Sequence, residues 1–175
     1  MKTRFFLINL CFLLLINCGD DKVLSETENE ENSNQKSVIT AKAIEGFKYT
    51  DYVLSPRGKK AVANWEKYNE LAIQVDYLKK ADLSFFNGDK ELLKVFINEL
   101  KTKIPDALKT NPIVSRTVII ETTLFKLNEN LTLNNIKDQL KLESVKEVLV
   151  AFSNLNYQIN KKLERDIYEK IKSEY

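Results

Sequence analysis

Ser144 to Ile171 reads SVKEVLVAFSNLNYQINKKLERDIYEKI, and its spacing decides the fold class. Val145, Val148, Phe152, Leu155 and Ile159 recur at alternating steps of three and four, which puts them on one helical face in the manner of a coiled-coil seam. Leu163, Ile167 and Ile171 continue at steps of four, so the apolar stripe drifts around the helix. Ser144 followed by Glu147 has the form of a capping box and predicts a helix opening there and ending near Lys172. About 28 residues at ~1.5 Å each make a rod of ~42 Å. Its last turns would then outrun a small bundle and be available to a partner.

Upstream, the same period recurs three times. Ser55-Pro56 is a helix start, with Ser as N-cap and Pro at the first helical position. From there Ala61, Trp65, Tyr68, Ala72, Val75 and Leu78 predict one helix to about Lys80. Asn87-Gly88 is a turn signal. Asp89 caps a second helix whose inner stripe is Leu93, Phe96, Ile97, Leu100 and Ile104, stopped by Pro105. Lys101 and Lys103 sit at the negative end of its dipole. Thr110-Asn111-Pro112 starts a third, with Asn111 pushed toward extended geometry by the following Pro. Its apolar side is Ile113, Val114, Val118, Ile120, Leu124, Leu127 and Leu131. A polar connection from Asn128 to Lys141 has room for one short helix near Leu133 to Leu140.

Phe47 to Leu54 alternates weakly enough to be a strand, but we expect an extended or short helical arm lying on the helices. Four helices joined by short turns predict an all-α fold, an antiparallel up-down four-helix bundle with an N-terminal extended arm. The domain is expected to cover 38–175.

The amino-terminal region reads differently. Lys2 and Arg4 precede an apolar run from Phe5 to Ile16, broken only by Asn9. That is a secretory signal pattern, and the run is shorter than the ~20 apolar residues a membrane-spanning helix needs. Leu15-Ile16-Asn17-Cys18 resembles the lipobox of Gram-negative bacterial lipoproteins, with Asn17 where that family usually has Gly, Ala or Ser. The resemblance covers residues 1–21 only. It implies cleavage after residue 17, acylation of Cys18, and a membrane as partner through those acyl chains. Two or more chains are needed for stable anchoring, at ~0.8 kcal/mol per buried methylene. Residues 18–37 are then expected to be the acylated Cys and a disordered acidic tether. Asp20, Asp21, Glu26, Glu28, Glu30 and Glu31 face only Lys22 and Lys36 as bases, and Val23 and Leu24 are nearly the only apolar residues. The acidic residues after Cys18 also resemble signals that place some lipoproteins on the cell surface. The implied location is the cell envelope, at the outer membrane, facing the periplasm or the exterior.

Composition narrows the chemistry. The chain has no His, one Met (Met1) and two Cys, Cys11 inside the signal and Cys18 at the anchor. Loss of the signal and acylation would leave no His, no Met and no free thiol. Ser-His-Asp and Cys-His catalysis are excluded, as are the usual zinc, haem and copper ligand sets. No metal and no cofactor are expected. The helical part carries a mild basic excess spread along its length, not the clustered face of a nucleic-acid binder, so no nucleic acid is expected as a partner.

Three residue groups are candidates for function. Arg116, Glu121, Asn154, Gln158 and Asn160 could form a polar cluster between the third and fourth helices, or sit in solvent and in structural hydrogen bonds. Phe47, Tyr49, Tyr52, Trp65, Tyr68 and Tyr77 could be a ligand platform or, more simply, core. Arg57, Lys59, Lys60, Lys161, Lys162 and Arg165 could meet anionic lipid headgroups or form a solvated face. The expectation is a non-enzymatic envelope protein acting as an interaction or scaffold module, with an envelope protein as partner. The alternative is a bundle that binds a small molecule or lipid. A carboxylate-dependent hydrolase is a third reading, and requires two acids facing one cleft.

Overall fold

The computed structural model describes residues 39–175. The expected signal segment, Cys18, the acidic tether and Val38 lie outside the described residues. Within them the fold is all-helical: α1 (Ala41–Glu45), α2 (Pro56–Ala61), α3 (Glu66–Lys79), α4 (Lys90–Thr102), α5 (Asn111–Thr132) and α6 (Asp138–Glu174), with a 3-10 turn at Asp106–Leu108. The most extensive packing is α5 on α6, and α3, α4, α5 and α6 each touch the next, with α6 returning to α3. Helices α1 and α2 also lie on α6.

The helix expected from Pro56 to Lys80 is broken in two. Its start is as read: the Ser55 hydroxyl accepts from the Gly58 N–H at 3.0 Å. After Ala61 the chain turns so that Val62 and Trp65 both enter the core. The Trp65 indole N–H then donates to the Leu100 carbonyl of α4 at 3.0 Å. Asn69 reaches back from α3 and donates to the carbonyls of Val62 and Ala63, which satisfies groups the break exposes. The spacing of Ala61, Trp65 and Tyr68 hides the break because both pieces bury toward the same core.

Helix α3 ends on Ala81 at φ 65°. The Asp82 N–H reaches the Tyr77 carbonyl and the Ala81 N–H the Leu78 carbonyl. This is a Schellman closure with alanine where glycine is usual. Asp89 caps α4 as expected, accepting from the N–H groups of Glu91 and Leu92. Buried Asn128 of α5 donates to the carbonyls of Phe86 and Gly88, both at 2.9 Å, and so fixes the α3–α4 turn.

Two further expectations change. The start of α5 has Thr110 at the N-cap position, its hydroxyl making no capping bond, with Asn111 already helical. Its buried face is Ile113, Thr117, Ile120, Leu124, Leu127 and Asn128, while Val114 and Val118 are exposed. Counting from Ile113 in steps of four and three selects Thr117 over Val118, and a threonine does not announce itself as core. Ser144 does not open a helix. It is buried inside α6 and its hydroxyl donates to the Lys141 carbonyl one turn back, at 2.8 Å. A serine bonded that way is compatible with a continuous helix. The true start follows Asn135, whose φ of 72° reverses the chain, and has Asp138 in its first turn where the dipole favours an acid. Helix α6 thus has 37 residues, or roughly 55 Å at ~1.5 Å each. No residue after Ile159 is buried.

Candidate functional site

The most developed polar arrangement is a row of side chains on α6 that grips an extended arm. Residues 47–55 have no helix or strand, so their N–H and C=O groups need partners elsewhere. Ser153, Asn156 and Asn160 supply them. These lie at steps of three and four, on one face of α6 beside Phe152, Leu155 and Ile159 of the buried seam.

The Tyr52 N–H donates to the Ser153 hydroxyl at 2.7 Å, and that hydroxyl donates onward to the Thr50 carbonyl at 2.6 Å. Asn156 donates to the Tyr52 carbonyl at 3.0 Å. Asn160 uses both ends of its amide, donating to the Val53 carbonyl and accepting from the Ser55 N–H, each at 2.9 Å. Seven helical residues rise ~10 Å, and three extended residues cover the same length. The arm therefore runs beside α6 in step with the row.

Every one of these contacts is to main chain. Arm side chains are largely spared: Val53 is 75% exposed, and Tyr52 lies against Tyr157 with ring centroids 4.7 Å apart. Asp51 pairs with Lys79 of α3 at 2.8 Å. Burial lowers the Lys79 pKa, and the hydrogen bond and charge of Asp51 more than offset it, leaving the ammonium above its ordinary value. Burial raises the pKa of Tyr49, with the charge of Asp51 adding to it and Lys79 opposing. Gly58 closes the clamp from α2. A Cβ there would come within 2.9 Å of the Asn160 oxygen and 3.0 Å of a Leu54 methyl, so the glycine is required for close approach.

Beneath the arm, Tyr68 donates to Asn156 at 2.6 Å and stacks between Trp65 and Phe152. Burial pushes its phenol well above the usual tyrosine range. Beside it a cleft of about 310 Å³ opens between the arm and α3, lined in part by Asp51, Lys59, Tyr68, Asp76 and Lys79. Its two carboxylates both approach Lys79, Asp51 at 2.8 Å and Asp76 at 3.7 Å. A second cleft, of about 320 Å³, lies between α3 and α4 near Phe85, Leu92, Val95 and Phe96.

The five residues grouped in the sequence go to different places. Glu121 pairs with Lys101 of α4 at 2.6 Å. Asn160 joins the arm clamp. Arg116 and Gln158 are half-buried and Asn154 is exposed; none of the three makes a hydrogen bond or ion pair among the described residues. The register of α6 turns Asn156 inward in place of Asn154 and Gln158, and Ser153 with it. Their position next to seam residues was the available signal. Of the aromatic group, Trp65 and Tyr68 are core, Phe47 and Tyr49 pack against it, and Tyr77 is exposed beneath the Lys80 ammonium. Of the basic group, Lys161 pairs with Glu164 and Lys162 with Asp166, within α6.

Among the described residues no helix is long and apolar enough to cross a membrane. No protein-family model, curated protein or solved structure matches the chain.

Proposed function

We propose that this chain is a lipid-anchored protein of a bacterial cell envelope, held by acyl chains on Cys18, whose helical domain acts by contact with protein rather than by catalysis. In this reading α3, α4, α5 and α6 run alternately up and down as an antiparallel four-helix bundle. Their mutual packing in chain order and their short connections support that arrangement. The observation that carries the contact reading is the end of α6. Beyond Ile159, Leu163 still packs at the edge of the core, and past it the helix presents Tyr168, 67% exposed, and Ile171, 51% exposed.

The test combines two substitutions in the expressing cell. Cys18→Ser should leave the chain at its precursor mass, uncleaved and without the acyl groups that the processed parent chain carries. Ile171→Glu should leave the chain membrane-bound and remove its protein cross-links. A parent chain that carries no acyl mass, or a Cys18→Ser chain trimmed like the parent, sinks the anchor, and unchanged cross-links in Ile171→Glu sink the contact surface.

The α3–α4 cleft favours a second reading, a carrier of a small apolar molecule or lipid. Leu92 at its rim is 73% exposed, so the groove suits a surface contact better than an enclosed ligand. Native mass spectrometry of the membrane-extracted chain decides it: co-purifying lipid would support the carrier.

A further inference from the structure

We propose that the exposed end of α6 pairs antiparallel with the same segment of a second copy of this chain, centred on Tyr168. This deepens the contact reading above and shares its premise that the end of α6 is an interaction surface.

The apolar row Ile159, Leu163, Ile167 and Ile171 begins in the core and leaves it. Ile159 is fully buried. Leu163 and Ile167 are half-buried beside Pro56 and Arg57 at the start of α2. Ile171 and Tyr168 are exposed. A seam that continues past its last covered residue leaves apolar surface that a partner helix can take.

The charges beside the row identify the partner. Lys162, Asp166, Lys170 and Glu174 precede the row positions, and Glu164, Tyr168 and Lys172 follow them. On both sides the sign alternates at successive charged positions. Because the stripe drifts, Lys162 and Lys172 turn away from the Ile167 face; when two copies lie antiparallel about Tyr168, Asp166 of each comes beside Lys170 of the other, so the two-fold axis makes that attractive pair twice. No like-charged pair arises. In a parallel, in-register pair opposite flanks face each other, so Asp166 meets Glu164 or Tyr168 of the second copy and Lys170 finds no acid. A parallel pair shifted by one turn recovers some attraction but is not closed by a two-fold axis, and leaves unpaired ends. Charge complementarity thus selects the antiparallel, two-fold arrangement. Lys162 and Asp166 also pair within one helix, whereas Lys170 has no ion pair among the described residues and is free to take the acid of a second copy.

The experiment uses the full chain extracted from membranes in mild detergent and oxidised, with disulfide dimers read on non-reducing gels. The parent chain, which carries Cys11 and Cys18, is the blank. Tyr168→Cys should dimerise far above the parent, because the two-fold axis sets residue 168 against itself. Lys162→Cys should not, because its counterpart lies a helix segment away. Adding Lys170→Glu to Tyr168→Cys places an acid beside Asp166 at two equivalent positions and should weaken pairing roughly tenfold. Asp166→Lys in that same chain should restore it. Circular dichroism of each variant checks that α6 stays helical. Three outcomes overturn the pairing: no dimer from Tyr168→Cys above the parent, equal dimer from Lys162→Cys, or indifference to Lys170→Glu. If Tyr168→Cys stays monomeric while Ile171→Glu still loses cross-links to another envelope protein, self-pairing fails and the contact reading stands.

Discussion

Replacing Asn160 with Ala should free the arm from α6 without unfolding the bundle. The substitution removes two hydrogen bonds, to the Val53 carbonyl and from the Ser55 N–H, both at 2.9 Å. At ~0.5–1.5 kcal/mol each, the loss is roughly 1–3 kcal/mol. Global stability should fall by less than that sum. Val53 is exposed and Ser55 half-buried, so both orphaned groups can reach water once the arm lifts, and the arm can open locally while the core stays closed. The measurement is therefore local. Among the described residues the Ser55 amide is held only by Asn160, and the Tyr52 amide only by Ser153. Hydrogen exchange at Ser55 should accelerate about tenfold to a hundredfold, at ~1.4 kcal/mol per factor of ten, with a smaller rise at Tyr52. Exchange at Leu124 and Leu155, deep in the core, should barely change. Unchanged protection at Ser55 would falsify the clamp. Equal acceleration at Leu155 would show that the arm and core open together.

Four further outcomes follow from single residues. Ala81→Gly should raise stability by roughly 0.5–1 kcal/mol, because relief of the left-handed conformation outweighs glycine's entropy; a lowered melting temperature refutes this. Thr110 Oγ1 is buried without a partner among the described residues, so Thr110→Val should gain about 1 kcal/mol in urea unfolding, and a loss would mean the hydroxyl is satisfied. Asn128→Ala should cost about 2–3 kcal/mol by orphaning the Phe86 and Gly88 carbonyls, and should raise proteolysis at the α3–α4 turn. Tyr68 sets an alkaline limit. Burial holds its folded pKa above the ordinary tyrosine value of 10.0, so above that pH the unfolded chain loses a proton the native chain keeps. The native state then binds more protons and stability falls as pH rises. Lys79, also raised, contributes a loss in the same direction as pH passes its own folded value. Urea midpoints should therefore decline between about pH 9 and about pH 11, and Tyr68→Phe should shrink that decline relative to its own neutral midpoint.

The parts of this fold legible in the sequence are those written in side-chain period and in caps. The seams of α4 and of α6 to Ile159, the Ser55 and Asp89 caps and the Asn87-Gly88 turn all follow from local chemistry. Where two local signals compete, the sequence misleads. Ser144 and Glu147 form a start signal, yet the preceding Asp138 to Glu143 is helical enough to absorb it. Trp65 sits at helical spacing, yet its volume and its bond to Leu100 are better served by a turn. The arm clamp was the least visible part. Its contacts run from α6 side chains to arm main chain, so residues 50–55 bear no mark of it. Only Ser153, Asn156 and Asn160 do, and their interval of three and four is the one clue that they share a face.

That same geometry has a mechanical meaning. Four arm positions, Thr50, Tyr52, Val53 and Ser55, are fastened to three points along one rod. A lengthwise tug applied at Thr50 strains these fasteners side by side, in shear, and must slide the arm along α6 before it reaches α2. A sideways tug peels them off one after another. Single-molecule pulling from the two directions should give a high, abrupt rupture in the first case and a low, stepwise one in the second.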